Sequence, residues 1–151
     1  MKKIQAAVSR KKGKIGMLVA VIIVVVFCIL NVPANKTKIV LNIWGDEFKE
    51  NSILVVQNGS AKKLLHGVQL DGAYEDNDTQ IVQYTVKSVG LPSTSIYYGF
   101  YYSPNDVPVA FQNVHCILKE EGENRWSWSK DGASGITYKI SENFYYYKAK
   151  F

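Results

Sequence analysis

The chain changes character at Pro33. Before it, Ile15 to Leu30 reads IGMLVAVIIVVVFCIL, sixteen residues without a charge or strongly polar side chain, and Asn31-Val32 extend the run to the proline. After it, apolar positions recur mostly at every second residue, the period of a half-buried strand. Ile39, Leu41 and Ile43 share one face of an expected first strand. Asp46 to Glu50 is expected as a single helical turn, and Ile53 to Gln57 as a second strand. Asn58-Gly59 suits a tight hairpin turn, because both residues tolerate positive φ, and Ser60 to His66 would return. The polar stretch Asp71 to Asp78 reads as a loop.

Val82, Tyr84 and Val86 then alternate with Gln83, Thr85 and Lys87. Ile96 to Tyr102 is the next strand, Ser103 to Asp106 a turn, and Val107 to Gln112 its return. Cys116 to Glu120 is expected to pair with Arg125 to Ser129. Asp131-Gly132 marks a reversal, and Ile136, Tyr138 and Ile140 share a face beyond it. Tyr145, Tyr147, Ala149 and Phe151 face one way at the end, with Tyr146, Lys148 and Lys150 opposite. About eight short strands at regular spacing predict an all-β domain, a compact antiparallel sandwich or small barrel. The pattern places no long helix after the first apolar run.

Length divides that run between two readings. A spanning helix needs roughly 20 apolar residues, with about 17 as a lower limit, whereas a signal-peptide core has about 7–15. Residues 15–32 are read as a transmembrane anchor, with a secreted form cleaved near Ala34 as the alternative, since Val32-Pro33-Ala34 supplies small residues. Residues 1–14 form a basic flank, 33–37 a linker and 38–151 the working domain.

Charge refines this picture. The whole chain carries a formal net charge of +5. Lys2, Lys3, Arg10, Lys11, Lys12 and Lys14 precede the apolar run, and no acid does; the residues after position 34 hold 12 Lys/Arg against 13 Asp/Glu. Cations beside an apolar span stay cytoplasmic, so the expected topology is single-pass with the N-terminus inside and the β-domain outside the cell membrane. A near-neutral exported domain lacks the overall basic footprint of a nucleic-acid binder, and that class is excluded as a partner.

Candidate chemistry is sparse. The outer domain has one cysteine, Cys116, so no internal disulfide is available and a buried thiol is expected. The cluster Glu75-Asp76-Asn77-Asp78 lacks the ligand spacing and glycine of a calcium loop. Adjacent His115 and Cys116 would point to opposite faces of a strand. No dinucleotide, phosphate-loop, zinc or nucleophile-elbow motif occurs, so neither a cofactor nor a metal is expected.

Aromatic residues are the exceptional feature. Fourteen lie between Tyr97 and Phe151, against four between residues 35 and 96. Consecutive aromatics in a strand must point to opposite faces, so one set faces away from a single core. Tyr98, Tyr102, Trp126 and Trp128 are therefore the candidate ligand-binding residues, an aromatic face for a cell-surface glycan or a protein partner.

YYGFYYSPNDVPVAFQN (97–113), WSW (126–128) and NFYYYKAKF (143–151) resemble small secreted or membrane-anchored proteins of gut-type Firmicutes. The resemblance covers about a third of the chain and implies a Gram-positive bacterial surface location, with no activity attached. The expected function is a non-catalytic binding or structural module at the cell surface. The alternative is a small extracytoplasmic hydrolase built from turn residues such as Asp106, His115 and Asp131.

Overall fold

A computed structural model describes residues 17–29, 31–76, 78–91, 94–112 and 114–151. The basic flank 1–14 and positions 15, 16 and 30 of the apolar run lie outside the described residues, as does Asn77 of the acidic cluster. Helix α1 spans Met17–Ile29 and helix α2 Pro33–Asn58. Eight strands follow: β1 Leu64–Leu65, β2 Val68–Asp76, β3 Thr79–Val89, β4 Ile96–Tyr102, β5 Lys119–Gly122, β6 Arg125–Lys130, β7 Ala133–Ser141 and β8 Phe144–Lys150.

The strands form one antiparallel sheet in the order β1-β2-β3-β4-β8-β7-β6-β5. Two meanders therefore meet at the β4–β8 pair. Among the described residues there is no second sheet and no β1–β5 closure, so the sandwich or small barrel expected from strand spacing gives way to a single sheet, mostly β in content, with two helices before it.

Helix α2 is the main departure from the sequence pattern. It replaces the expected linker 33–37, the strands at Ile39–Ile43 and Ile53–Gln57, and the turn between them. Its buried positions Thr37, Val40, Leu41, Phe48, Asn51, Ser52 and Val55 form a stripe of helical period. That stripe overrides the local alternation Ile39-Leu41-Ile43, because only the helical grouping lets one face of the segment be buried. Gly59 does adopt positive φ, 69°, but as the left-handed cap that ends the helix, with its N–H on the Val55 carbonyl at 2.8 Å. The tight reversal belongs to His66-Gly67, with φ of 48° and 72°, between β1 and β2. The helix departs from regular geometry at Trp44 (φ −127°, ψ 21°). There the His66 ring stacks on the Trp44 indole at 4.2 Å, and its Nε2 lies 2.9 Å from a Glu47 oxygen.

Helix α2 covers one face of the sheet over β2, β3 and β4. Phe48 is fully enclosed between Tyr84 and Phe100, with Val82, Tyr102 and Phe144 completing the layer. β2 occupies what composition marked as a polar loop; a bulge at Asp71 accommodates its irregular middle.

The opposite face is closed by residues 103–112 and 114–118, on an irregular crossover from β4 to the far edge strand. The strand expected at Val107–Gln112 is absent, and β5 begins only at Lys119. Val109, Ala110 and Phe111 are buried in a cluster with Ile81, Tyr101 and Tyr147. A buried irregular segment has no ladder to satisfy its backbone, and tyrosine hydroxyls supply the partners. Tyr101 Oη accepts the Val109 N–H at 2.9 Å, and Tyr74 donates to the Ala110 carbonyl at 3.2 Å. Much of the tyrosine richness of this chain is thereby structural.

The crossover is pinned at Asp106. Its carboxylate takes the Asn143 N–H (2.9 Å), the Tyr145 hydroxyl (3.1 Å) and the Lys139 ammonium. Burial alone would raise this carboxyl, but these three donors outweigh it and hold the group below its ordinary value. A carboxylate with a depressed folded-state pKa contributes stability above its unfolded pKa, and loses it as pH falls through the folded value. Asp106→Asn is accordingly expected to lower stability by about 2 kcal/mol at pH 7 and by progressively less below about pH 4. Urea titrations at several pH values measure this; a cost that does not shrink on acidification refutes the assignment.

Candidate functional site

The four aromatics selected from the sequence do not form one face. Strand parity and register put Tyr98 and Tyr102 on the helix side, and Trp126 and Trp128 on the crossover side. Tyr102 is 6% exposed and packs with Phe144 beneath α2. Trp128 is 4% exposed and lies across Gly135, where an added Cβ would come within 2.5 Å of the indole. Trp126 is half-buried against Tyr145, its ring centroid 6.2 Å away. Trp128 and Tyr102 are thus core residues. Of the four, Tyr98 stands on a half-exposed face that neither α2 nor the crossover covers.

That face is the part of the helix-side surface lying beyond α2. Antiparallel partners share a face, so the register names its members. One row reads Lys87, Tyr98, Lys148, Ile136, Ser127 and Lys119 across β3, β4, β8, β7, β6 and β5. A second continues from the core residue Phe100 through Tyr146 and Tyr138 to Arg125. A third includes Lys150, Ser134 and Ser129. Tyr138 and Tyr146 stack at 4.7 Å.

Two ammonium groups sit over rings here, Lys148 Nζ 5.7 Å from the Tyr98 centroid and Lys38 Nζ, from α2, 5.8 Å from that of Tyr138. Desolvation raises the Tyr146 and Tyr138 phenols above their ordinary values, opposed at Tyr138 only by Arg125. Both hydroxyls stay neutral at physiological pH, and the charge of the face is set by its lysines and arginine. On these strands the face carries one carboxylate, Glu121, which is held 3.3 Å from Lys119 and accepts the Ser127 hydroxyl at 2.7 Å.

Sequence reasoning missed Tyr138, Lys148 and Arg125 as partners of Tyr98. The alternation placing Lys148 and Lys150 opposite Tyr147 was visible, but the β4–β8 pairing that sets Lys148 beside Tyr98 joins residues fifty positions apart.

The residues considered for hydrolysis are dispersed. Asp106 is engaged at the β7–β8 turn, as described above. Asp131 sits at positive φ in the β6–β7 reversal. His115 is mostly exposed, with Nδ1 3.4 Å from an Asp76 oxygen. The crossover is irregular here, so His115 and Cys116, expected on opposite faces of a strand, line one cleft of about 220 Å³ together with Asp76 and Val114. Neither Asp106 nor Asp131 lines it. Burial raises the Cys116 thiol above its ordinary value and Asp76 adds to this, with Lys130 opposing; the thiol is therefore protonated and weakly nucleophilic at neutral pH. Among the described residues no His, Cys, Asp or Glu cluster is arranged to hold a metal ion.

Helix α1 is exposed along its whole length, its large apolar side chains between 48% and 72% accessible. Among the described residues no single helix is long and apolar enough to cross a membrane. α1 and α2 meet both requirements only as a pair, bent by 84° at the break between them.

Comparison with known proteins gives no matching family model, no similar curated protein and no similar solved structure.

Proposed function

We propose that this protein is a non-catalytic binding module held at a bacterial cell membrane by residues 15–32, with its sheet domain outside and its basic N-terminal flank inside. The apolar run, the cations that precede it and the unburied side chains of α1 support the anchor. A chain cleaved near Ala34 would display the same domain in secreted form. The observation that carries the binding role is the uncovered half of the helix-side sheet face, where Tyr98 and Tyr138 stay half-exposed although the domain buries most of its other tyrosines. Flat phenol faces flanked by polar groups suit stacking against sugar rings, so a cell-surface glycan is the ligand class.

The test uses the full chain in nanodiscs and measures retention on immobilised polysaccharides. Tyr98→Ala combined with Tyr138→Ala is expected to lower retention about tenfold, at roughly one stacking contact per ring, while the thermal transition moves by only a few degrees. Undiminished retention by a folded double variant would refute the face as the binding site. Protease shaving of intact cells carrying a C-terminal tag checks topology, and a protected tag would refute the outside placement.

A further inference from the structure

The charge of this face narrows its ligand, an inference that rests on the binding role proposed above. The residues after position 34 carry 12 basic and 13 acidic side chains, a near balance. Its distribution is uneven. Lys87, Lys119, Arg125, Lys148 and Lys150 lie on the uncovered half-face, and Lys38 borders it from α2, whereas the strands contribute Glu121 alone in opposition, already paired with Lys119. The other carboxylates lie elsewhere: Asp71, Glu75 and Asp76 on β2, Glu120 on the crossover side of β5, Asp106 at its pin, Asp46, Glu47 and Glu50 on α2, and the rest in turns. We propose that the half-face binds an acidic polysaccharide, whose sugar rings lie on Tyr98 and Tyr138 and whose anionic groups meet Lys148, Arg125 and Lys87.

The layering of the fold separates this ligand from a flat anionic surface such as the bilayer. α2 stands on the same side of the sheet, roughly 10 Å proud of it as a packed layer. The half-face is therefore a ledge beside the helix, with Lys38 on the wall. A linear polymer can lie along such a ledge, but a planar headgroup layer meets α2 first. The row from Lys87 to Lys119 crosses six strands, about 24 Å at the spacing of a sheet, which accommodates several sugar units. Along it Tyr98 stands between Lys87 and Lys148, and Ile136 and Ser127 separate Lys148 from Lys119, so anionic groups can be met on either side of a stacked ring. Exposed pairs of this kind are individually weak and are screened by salt, so the binding comes from several acting together.

The experiment places the full chain in phosphatidylcholine nanodiscs and measures retention of polygalacturonate, neutral dextran, phosphatidylglycerol vesicles and a DNA duplex. Expected are retention of polygalacturonate that collapses at high salt and an about tenfold loss in Lys148→Glu combined with Arg125→Glu. The conservative Lys148→Arg is expected to keep binding, and all variants to keep the parental melting temperature, since both positions are exposed. Dextran retained as well as polygalacturonate, with the charge-reversed variant unaffected, would overturn the acidic ligand and leave the glycan-binding role standing. Failure to retain either polysaccharide would overturn both. Capture of the vesicles without polygalacturonate, or of DNA as tightly as polygalacturonate, would overturn the assignment in favour of a lipid surface or an unspecific polyanion contact.

Discussion

Phe48→Ala is expected to cost about 3–5 kcal/mol, the usual range for deleting a buried aromatic, and to lower the melting temperature by roughly 10–20 °C. Phe48 has no solvent exposure. Its ring meets those of Tyr84 and Phe100 edge-on, at 5.2 and 5.1 Å with interplanar angles of 87° in both cases. The polar contacts of the same stretch depend on that seat. Asn51 Nδ2 donates to the Tyr84 hydroxyl at 3.3 Å, Ser52 Oγ lies 2.9 Å from it, and Asn51 also binds the backbone of Lys62 through both ends of its amide. Removing the ring leaves a cavity flanked by groups that then lose alignment, so the cost exceeds simple apolar transfer. Ile43→Ala, on the outward side of the same helix, is expected to stay within about 0.5 kcal/mol. Urea unfolding of the detergent-solubilised full chain compares the two; a Phe48→Ala loss no larger than that of Ile43→Ala would mean that α2 is not docked through this residue.

Why α2 escaped the sequence pattern is instructive. The stripe Thr37, Val40, Leu41, Phe48, Asn51, Ser52, Val55 is helical in period, but three of its seven members are polar and are buried only because Tyr84, Lys62 and the helix backbone satisfy them. An apolar count over the segment sees Ile39-Leu41-Ile43 instead. The acid-rich end of β2 departs from its composition for a related reason: the loop-like residues Asp71 to Asp76 form a strand whose bulge turns the Asp71 carboxylate toward Thr85 and Gln83. The strands β3, β7 and β8 were legible from the alternating positions Val82-Tyr84-Val86, Ile136-Tyr138-Ile140 and Tyr145-Tyr147-Ala149, and β4 from its short apolar run bounded by turn residues. The candidate site was legible only in part. Tyr98 stood out, yet the pairing that assembles it with Lys148, Tyr138 and Arg125 is non-local. The covering of Trp128 depends on a crossover that no periodicity announces.

Deleting Tyr147 to Phe151 is expected to abolish cooperative folding, the largest effect any terminal change could have here. A C-terminal segment is usually dispensable when few contacts hold it. In this chain the last strand is central: β8 lies between β4 and β7 and pairs with both from end to end. The truncation removes the partners of Ile96 to Gly99 on one side and of Ser134 to Thr137 on the other, so the two meanders lose half of their only junction. It also removes Tyr147, 2% exposed, whose ring occupies the space above Gly99: a Cβ there would lie 2.8 Å from the phenol oxygen. That hydroxyl meets Thr85 Oγ1 at 2.9 Å and accepts from Gln83 Nε2 at 3.2 Å, tying β8 across β4 to β3. Tyr147→Phe isolates the polar part of this role and is expected to cost about 1–3 kcal/mol by leaving Thr85 and Gln83 underpaired. Removal of Phe151 alone, which is 38% exposed and bonded through its N–H to the Ser95 carbonyl at 3.0 Å, should cost less than the five-residue deletion by several kcal/mol. Circular dichroism melts of the three variants rank them. A five-residue truncation that still melts cooperatively within a few degrees of the parent would show that the meanders hold together without β8, and would refute the single-sheet junction as the source of the domain's stability.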